Sequence, residues 1–185
     1  MIRRIHRGPP GAGFSLLEVL IAVSILAAAI GTVAQLSVLA ARANTAARTA
    51  TFTSLLAAQK MEQLRALTWG VDAVGQPIAD TTTDVTTMPP RAHQGVGLTP
   101  SPGDALQRNA PGYCDFLDAA GRSLGGNGPP PAAIYVRRWS IAPLPSSDAT
   151  LVLQVLVLRT PTAGGAAWKN LGAARFTTLK TRTSW

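Results

Sequence analysis

The sequence predicts an α+β protein: one long N-terminal helix, apolar over its first half, packed on a small C-terminal antiparallel sheet. Three features predict it. Residues 14–41 form an unbroken, mostly apolar run with a single ionisable side chain, Glu18. Residues 42–69 continue in helical fashion with a broad apolar face. Residues 134–185 hold three segments rich in β-branched and apolar side chains, separated by turn-forming residues.

The apolar run is about 28 residues, which as a helix rises about 42 Å, enough to cross a hydrocarbon core of about 30 Å. No proline interrupts it. Ahead of it stands MIRRIHRGPPGAG, where Arg3, Arg4 and Arg7 place the leader in the cytoplasm by the positive-inside rule and the C-terminal bulk outside. Pro9 and Pro10 keep the helix from running back into the leader, so it begins near Phe14. Beyond residue 41, Arg42 and Arg48 mark emergence into water. Phe52, Leu55, Leu56, Met61, Leu64 and Leu67 form an imperfect apolar face, with Gly70 as the stop.

Residues 70–133 carry ten glycines and nine prolines, which reads as a loop region of little packing capacity. Within it residues 113–124 suggest a small hairpin turning at Ala119 to Gly121. The strands expected after it cover residues 134–141, 151–158 and 174–181, the first two separated by a turn region containing Pro143, Pro145, Ser146, Ser147 and Asp148. They form a sheet laid on the amphipathic half of the helix.

Composition narrows the function classes. Of 185 residues 46% are hydrophobic but only 5% aromatic, a mixture that suits one long helix better than a dense aromatic core. The net charge of +8 includes the three leader arginines, so the rest of the chain is only mildly basic. Cys114 is the sole cysteine, which excludes an intramolecular disulfide and a Cys-rich zinc site. His93 is the one histidine beyond the leader, and no His-x-x-x-His, Gly-x-Ser-x-Gly or Walker loop is present, which argues against an enzyme. No cofactor is implied. Asp72, Asp80 and Asp84 lie in a polar loop and Asp115 and Asp118 flank a turn; these read as solvated turn aspartates rather than a calcium site. Arg159, Lys169, Arg175, Lys180 and Arg182 read as a solvated strand face rather than a nucleic-acid interface.

Several readings compete for the N-terminal segment. Ala27-Ala28-Ala29 offers a cleavage site for an ordinary secretory signal, although Glu18 places a charge near the start of its apolar region. Arg3-Arg4 hints at a twin-arginine signal, and a plain signal anchor needs nothing more than the apolar run.

The stretch Gly13-Phe14-Ser15-Leu16-Leu17-Glu18-Val19-Leu20-Ile21-Ala22, after a basic leader and before a long apolar run, resembles the class III signal of type IV prepilins and type II secretion pseudopilins. The resemblance implies cleavage after Gly13 by a membrane peptidase, N-methylation of the new terminal Phe14, and an assembly role for Glu18. It implies the pilin-like fold: a helix whose first half, residues 14–41, is transmembrane, its amphipathic continuation, a variable loop, and a C-terminal sheet. Tyr135-Val136-Arg137-Arg138-Trp139 and the closing strands also look like minor pilins of the PilV type or the pseudopilin GspI. The implied protein is a structural subunit that helps initiate or cap a pilus or pseudopilus. Its partners are the prepilin peptidase and methyltransferase, other pilin or pseudopilin subunits, the inner-membrane assembly platform and membrane lipid. A competence pseudopilin, or an exported domain on an ordinary anchor, are the alternatives.

The motif has a chemical logic. A peptidase that grips extended backbone gains from a residue with no side chain before the scissile bond. Burying a lone carboxylate in a membrane costs about 2.5–3.5 kcal/mol, so Glu18 needs a partner. A neighbouring subunit's Phe14 amine about 4 Å away supplies about 4 kcal/mol at an effective dielectric near 20. Its own helix N-terminus favours the same charge.

Overall fold

The computed structural model describes residues 13, 15–126, 128–160 and 173–184. A single helix, α1 (Leu16–Ala66), is followed by seven strands: β1 (Trp69–Val71), β2 (Pro77–Ala79), β3 (Cys114–Leu117), β4 (Tyr135–Leu144), β5 (Ser147–Arg159), β6 (Ala174–Thr181) and β7 (Thr183–Ser184). The α+β layout expected from sequence is present. The chain divides into two units, residues 1–44 and 45–185.

The first unit is the N-terminal part of α1. Its best 18-residue window has a mean hydropathy of 2.4, and the helix is long and apolar enough to cross a membrane. Leu16, Leu17, Leu20, Ile25, Ile30, Val33 and Leu36 are all exposed.

The second unit is built on a four-stranded antiparallel sheet in the order β3-β4-β5-β6, with a smaller sheet ordered β2-β1-β7. Alternation along β4 and β5 turns Arg137, Trp139 and Ile141, with Leu151, Leu153, Val155 and Val157, to one face. Against them pack Leu56, Ala57, Met61 and Leu64 of α1. Each such side chain taken from water contributes about 1.5–3 kcal/mol. Thr53, Leu56, Ala57, Lys60, Met61 and Leu64 are the buried residues of α1, spaced three and four apart as one helix face requires. Leu55, expected on that face, is instead 62% exposed. The face looked imperfect in sequence because Thr53 and Lys60 occupy it.

Three further local expectations are corrected. The helix ends at Ala66 rather than at Gly70, which lies in β1. Its end is closed by the Lys180 ammonium, which donates to the Arg65 carbonyl, so no left-handed glycine is needed. The turn between β4 and β5 shrinks to Pro145 and Ser146. Pro143 sits inside β4 because β3 pairs only with Tyr135 through Arg138, so its missing N–H faces no strand, and the register shifts immediately after it.

The connection between β2 and β3 packs more tightly than its glycine and proline content suggested. Val85, Leu98, Ala105, Ala110 and Tyr113 all join the main core. Gly97 has φ +47, and Gly95 lies so close to the Asp84 backbone that a Cβ would collide with it, which explains why the stretch is glycine-rich. The small hairpin is present: Asp118 N–H donates to Arg122 O, and Leu124 N–H to Phe116 O. The third strand occupies Ala174–Thr181 as read from sequence.

Candidate functional site

The residues singled out by the motif lie at the start of α1. Gly13 is exposed, and a Cβ built on it meets nothing within 4 Å. Nothing in the surrounding described structure requires a glycine there. Phe14, the expected new terminus and methylation site, lies outside the described residues. Glu18 is the acidic residue of the first helical turn, where the helix dipole favours it. It is exposed, and among the described residues its carboxylate forms no ion pair or hydrogen bond.

Glu18 is the one ionisable group of the segment, and it differs from the segment's serine and threonine hydroxyls. The hydroxyls of Ser24, Thr32 and Ser37 donate to the carbonyls of Leu20, Ala29 and Val33 at 2.8, 2.8 and 2.9 Å. Those groups carry their hydrogen bonds with them into an apolar surrounding. The carboxylate has no such partner among the described residues.

The second concentration of charge lies in the folded unit and was missed in sequence. Asp115 of β3 is fully buried, not a solvated turn residue. Arg137, its cross-strand neighbour on β4, grips it with two hydrogen bonds, Nε to Oδ1 at 2.8 Å and Nη2 to Oδ2 at 2.6 Å. Lys60 of α1 reaches the same carboxylate, Nζ to Oδ2 at 2.9 Å, donates to Val85 O and lies 4.5 Å from the centre of the Trp139 ring. Arg137 also donates to Gln59 Oε1 at 3.0 Å and Leu56 O at 3.3 Å. One carboxylate thus ties α1, β3 and β4 together, with two cations against one anion. The sequence signals were periodic: Lys60 falls on the buried helix stripe, and Arg137 alternates with Trp139 and Ile141.

Burial pushes the Lys60 ammonium down from 10.5 to about 8; the Asp115 carboxylate draws it up and the Arg137 guanidinium pushes it down further. The sign of the linkage follows. Between about pH 8 and 10.5 the unfolded chain holds more protons at this group than the folded one, so stability rises with pH across that window. The slope approaches about 1.4 kcal/mol per pH unit for one proton. Urea unfolding of the full chain in micelles, followed by tryptophan fluorescence, is expected to show the rise in wild type and its loss in Lys60→Met. Parallel pH profiles for the two would refute the buried-ammonium account.

The remaining aspartates serve their own turns. Asp72 Oδ1 accepts from the backbone of Val74 and Gln76, Asp80 from Thr82 and Thr83, Asp84 from Thr86, and Asp118 from Ala120 and Arg122. Hydrogen bonds hold the Asp80 carboxyl below its usual range despite the opposing effect of burial. Cys114 is buried, which raises its pKa and keeps it a thiol. His93 lies exposed with φ 60 near Thr82. Among the described residues no three His, Cys, Asp or Glu side chains gather as a metal site. A cleft of about 530 Å³ between the loops, lined by Asp84, Gln94, Asn109, Cys114 and Phe116 among others, sets no histidine and no second carboxylate beside the Cys114 thiol and Asp84 among the described residues.

No family model, curated protein or solved structure matches the chain.

Proposed function

We propose that this chain is a minor pilin or pseudopilin: a structural subunit cut after Gly13, methylated at Phe14, and held in the inner membrane by α1 with its C-terminal unit outside. In assembly it leaves the bilayer for the filament core, where it helps initiate or cap a type IV pilus or type II secretion pseudopilus. The observation that carries the reading is Glu18, a carboxylate without an internal partner among the described residues on an otherwise apolar, exposed helix start. Such a group in a membrane calls for a cationic partner, and a neighbouring subunit's freed Phe14 amine is one. Gly13 supports the reading from the other side, since the described structure around it does not demand a glycine.

The partners that follow are the prepilin peptidase and methyltransferase, further pilin-like subunits, the assembly platform and lipid. The assignment as a minor rather than a repeated subunit rests on the likeness of the closing strands and on the lone Cys114, which leaves no cysteine pair to fasten a repeated outer surface. The connection between β2 and β3, expected to be a loop of little packing capacity, packs into the core and adds nothing to that assignment.

Replacing Gly13 with leucine is expected to leave the precursor uncut, because the side chain blocks the peptidase subsite. Co-expression with a prepilin peptidase should shift wild type, and not Gly13→Leu, to higher mobility on a gel. Equal shifts would refute cleavage at this bond.

A further inference from the structure

The two edges of the four-stranded sheet are treated differently. At β3 the edge is closed by the chain's own return: Phe116 N–H donates to Gly125 O, Leu124 N–H donates to Phe116 O, and Leu117 bridges Ser123. At β6 no described residue pairs with the outer side. β6 is matched to β5 over eight consecutive pairs, from Thr150↔Thr181 to Val157↔Ala174, with no shift in register. The result is a regular template rather than a bulged edge.

The composition of β6 fits a docking edge. Ala174-Arg175-Phe176-Thr177-Thr178-Leu179-Lys180-Thr181 contains three β-branched residues and no proline, and its two charged side chains, Arg175 and Lys180, discourage addition of any strand that brings no acids of its own. Leu179 is 59% exposed and Phe176 36%, on opposite faces of the strand. The strand is also held in place before any partner arrives. Lys180 is fastened to the Arg65 carbonyl, and Arg182, two residues on, stacks 3.7 Å from the Trp69 ring centre while donating to Gly70 O and Ile78 O. Strand addition therefore costs little ordering on this side.

Charge selects the occupant. β6 carries Arg175 and Lys180 and no acid, and Arg175 is satisfied only by the neutral Gln154 Oε1, at 3.0 Å. Pairing β6 with its copy brings four cations together with no anion, which disfavours a second copy of this chain. We infer that the free edge of β6 is a β-addition site for an extended, acidic segment of another protein, its carboxylates beside Arg175 and Lys180 and its apolar side chains beside Phe176 and Leu179. The backbone ladder supplies affinity and the charges supply selection and a salt dependence. The inference is independent of the membrane and filament reading.

The test uses the full chain in micelles and a synthetic peptide the length of β6, built of valine with glutamates on both faces to meet Arg175 and Lys180, alongside its lysine counterpart. Hydrogen exchange read by mass spectrometry is expected to slow about tenfold or more across residues 174–181 with the acidic peptide only, less so at high salt. Arg175→Glu, an exposed position, leaves one acid and one base on β6 and is expected, in this variant alone, to remove the preference between the two peptides. No slowing at β6 with either peptide, equal slowing with both, protection confined to another segment, or attachment to phosphatidylserine vesicles without protection of β6 would each overturn the proposal.

Discussion

Asp115→Ala is expected to destabilise the C-terminal unit by about 3–5 kcal/mol, because it strands two buried cations that now share one anion. Lys60 and Arg137 are 0% and 1% exposed, so water cannot replace the lost carboxylate without opening the core. Against a total stability of about 5–15 kcal/mol for a domain, that loss is a large share. Asp115→Asn keeps the shape but not the charge and should fall only slightly less far. Lys60→Met should do far less harm, since it leaves Arg137 and Asp115 as a balanced pair and removes the surplus charge; it gives up the hydrogen bond to Val85 O. Urea midpoints of the three variants check this order. An Asp115→Ala variant within about 1 kcal/mol of wild type would mean that the cluster does not fasten the helix to the sheet.

The second large effect concerns assembly. Glu18→Ala is expected to insert into the membrane at least as well as wild type, because it removes a buried-charge cost of about 2.5–3.5 kcal/mol. It should still be cleaved, since Gly13 and Phe14 are untouched. It should be lost from filaments by about tenfold or more, because the attraction for a neighbour's amine, about 4 kcal/mol before desolvation, is gone. Comparing sheared filaments with the membrane fraction reads both halves of the expectation. Wild-type amounts in filaments would show that the carboxylate has no partner between subunits.

Much of the layout was legible because it rests on period and punctuation. The apolar run gave α1, and alternation with β-branched residues placed β6 at its observed bounds, Ala174–Thr181. Boundaries slipped where tertiary contacts overrode local signals: Lys180 closes the helix end that Gly70 was expected to close, and the side of β4 beyond Arg138, which no strand pairs, admits Pro143. Leu55 was placed on the wrong face because hydrophobicity was counted and position was not; Lys60, four residues before Leu64, holds the place instead. The buried cluster was missed for the same reason. A charged residue in a buried stripe reads as a defect of the pattern until its partner is known, and the partner is a residue on another strand. Gly13 and Glu18 stood out in sequence because the described residues give neither of them a packing role. Neither is needed for packing, so both stand out from the local pattern rather than merging with it.

The central claim is the position of the cut, and the mass of the protein extracted from membranes of cells that carry a prepilin peptidase tests it most directly. The account predicts a chain that begins at Phe14 and is heavier than the bare sequence by one methyl group, located on the terminal amine by fragmentation. A chain that keeps its first thirteen residues, or one that starts just after the Ala27-Ala28-Ala29 run, would contradict it.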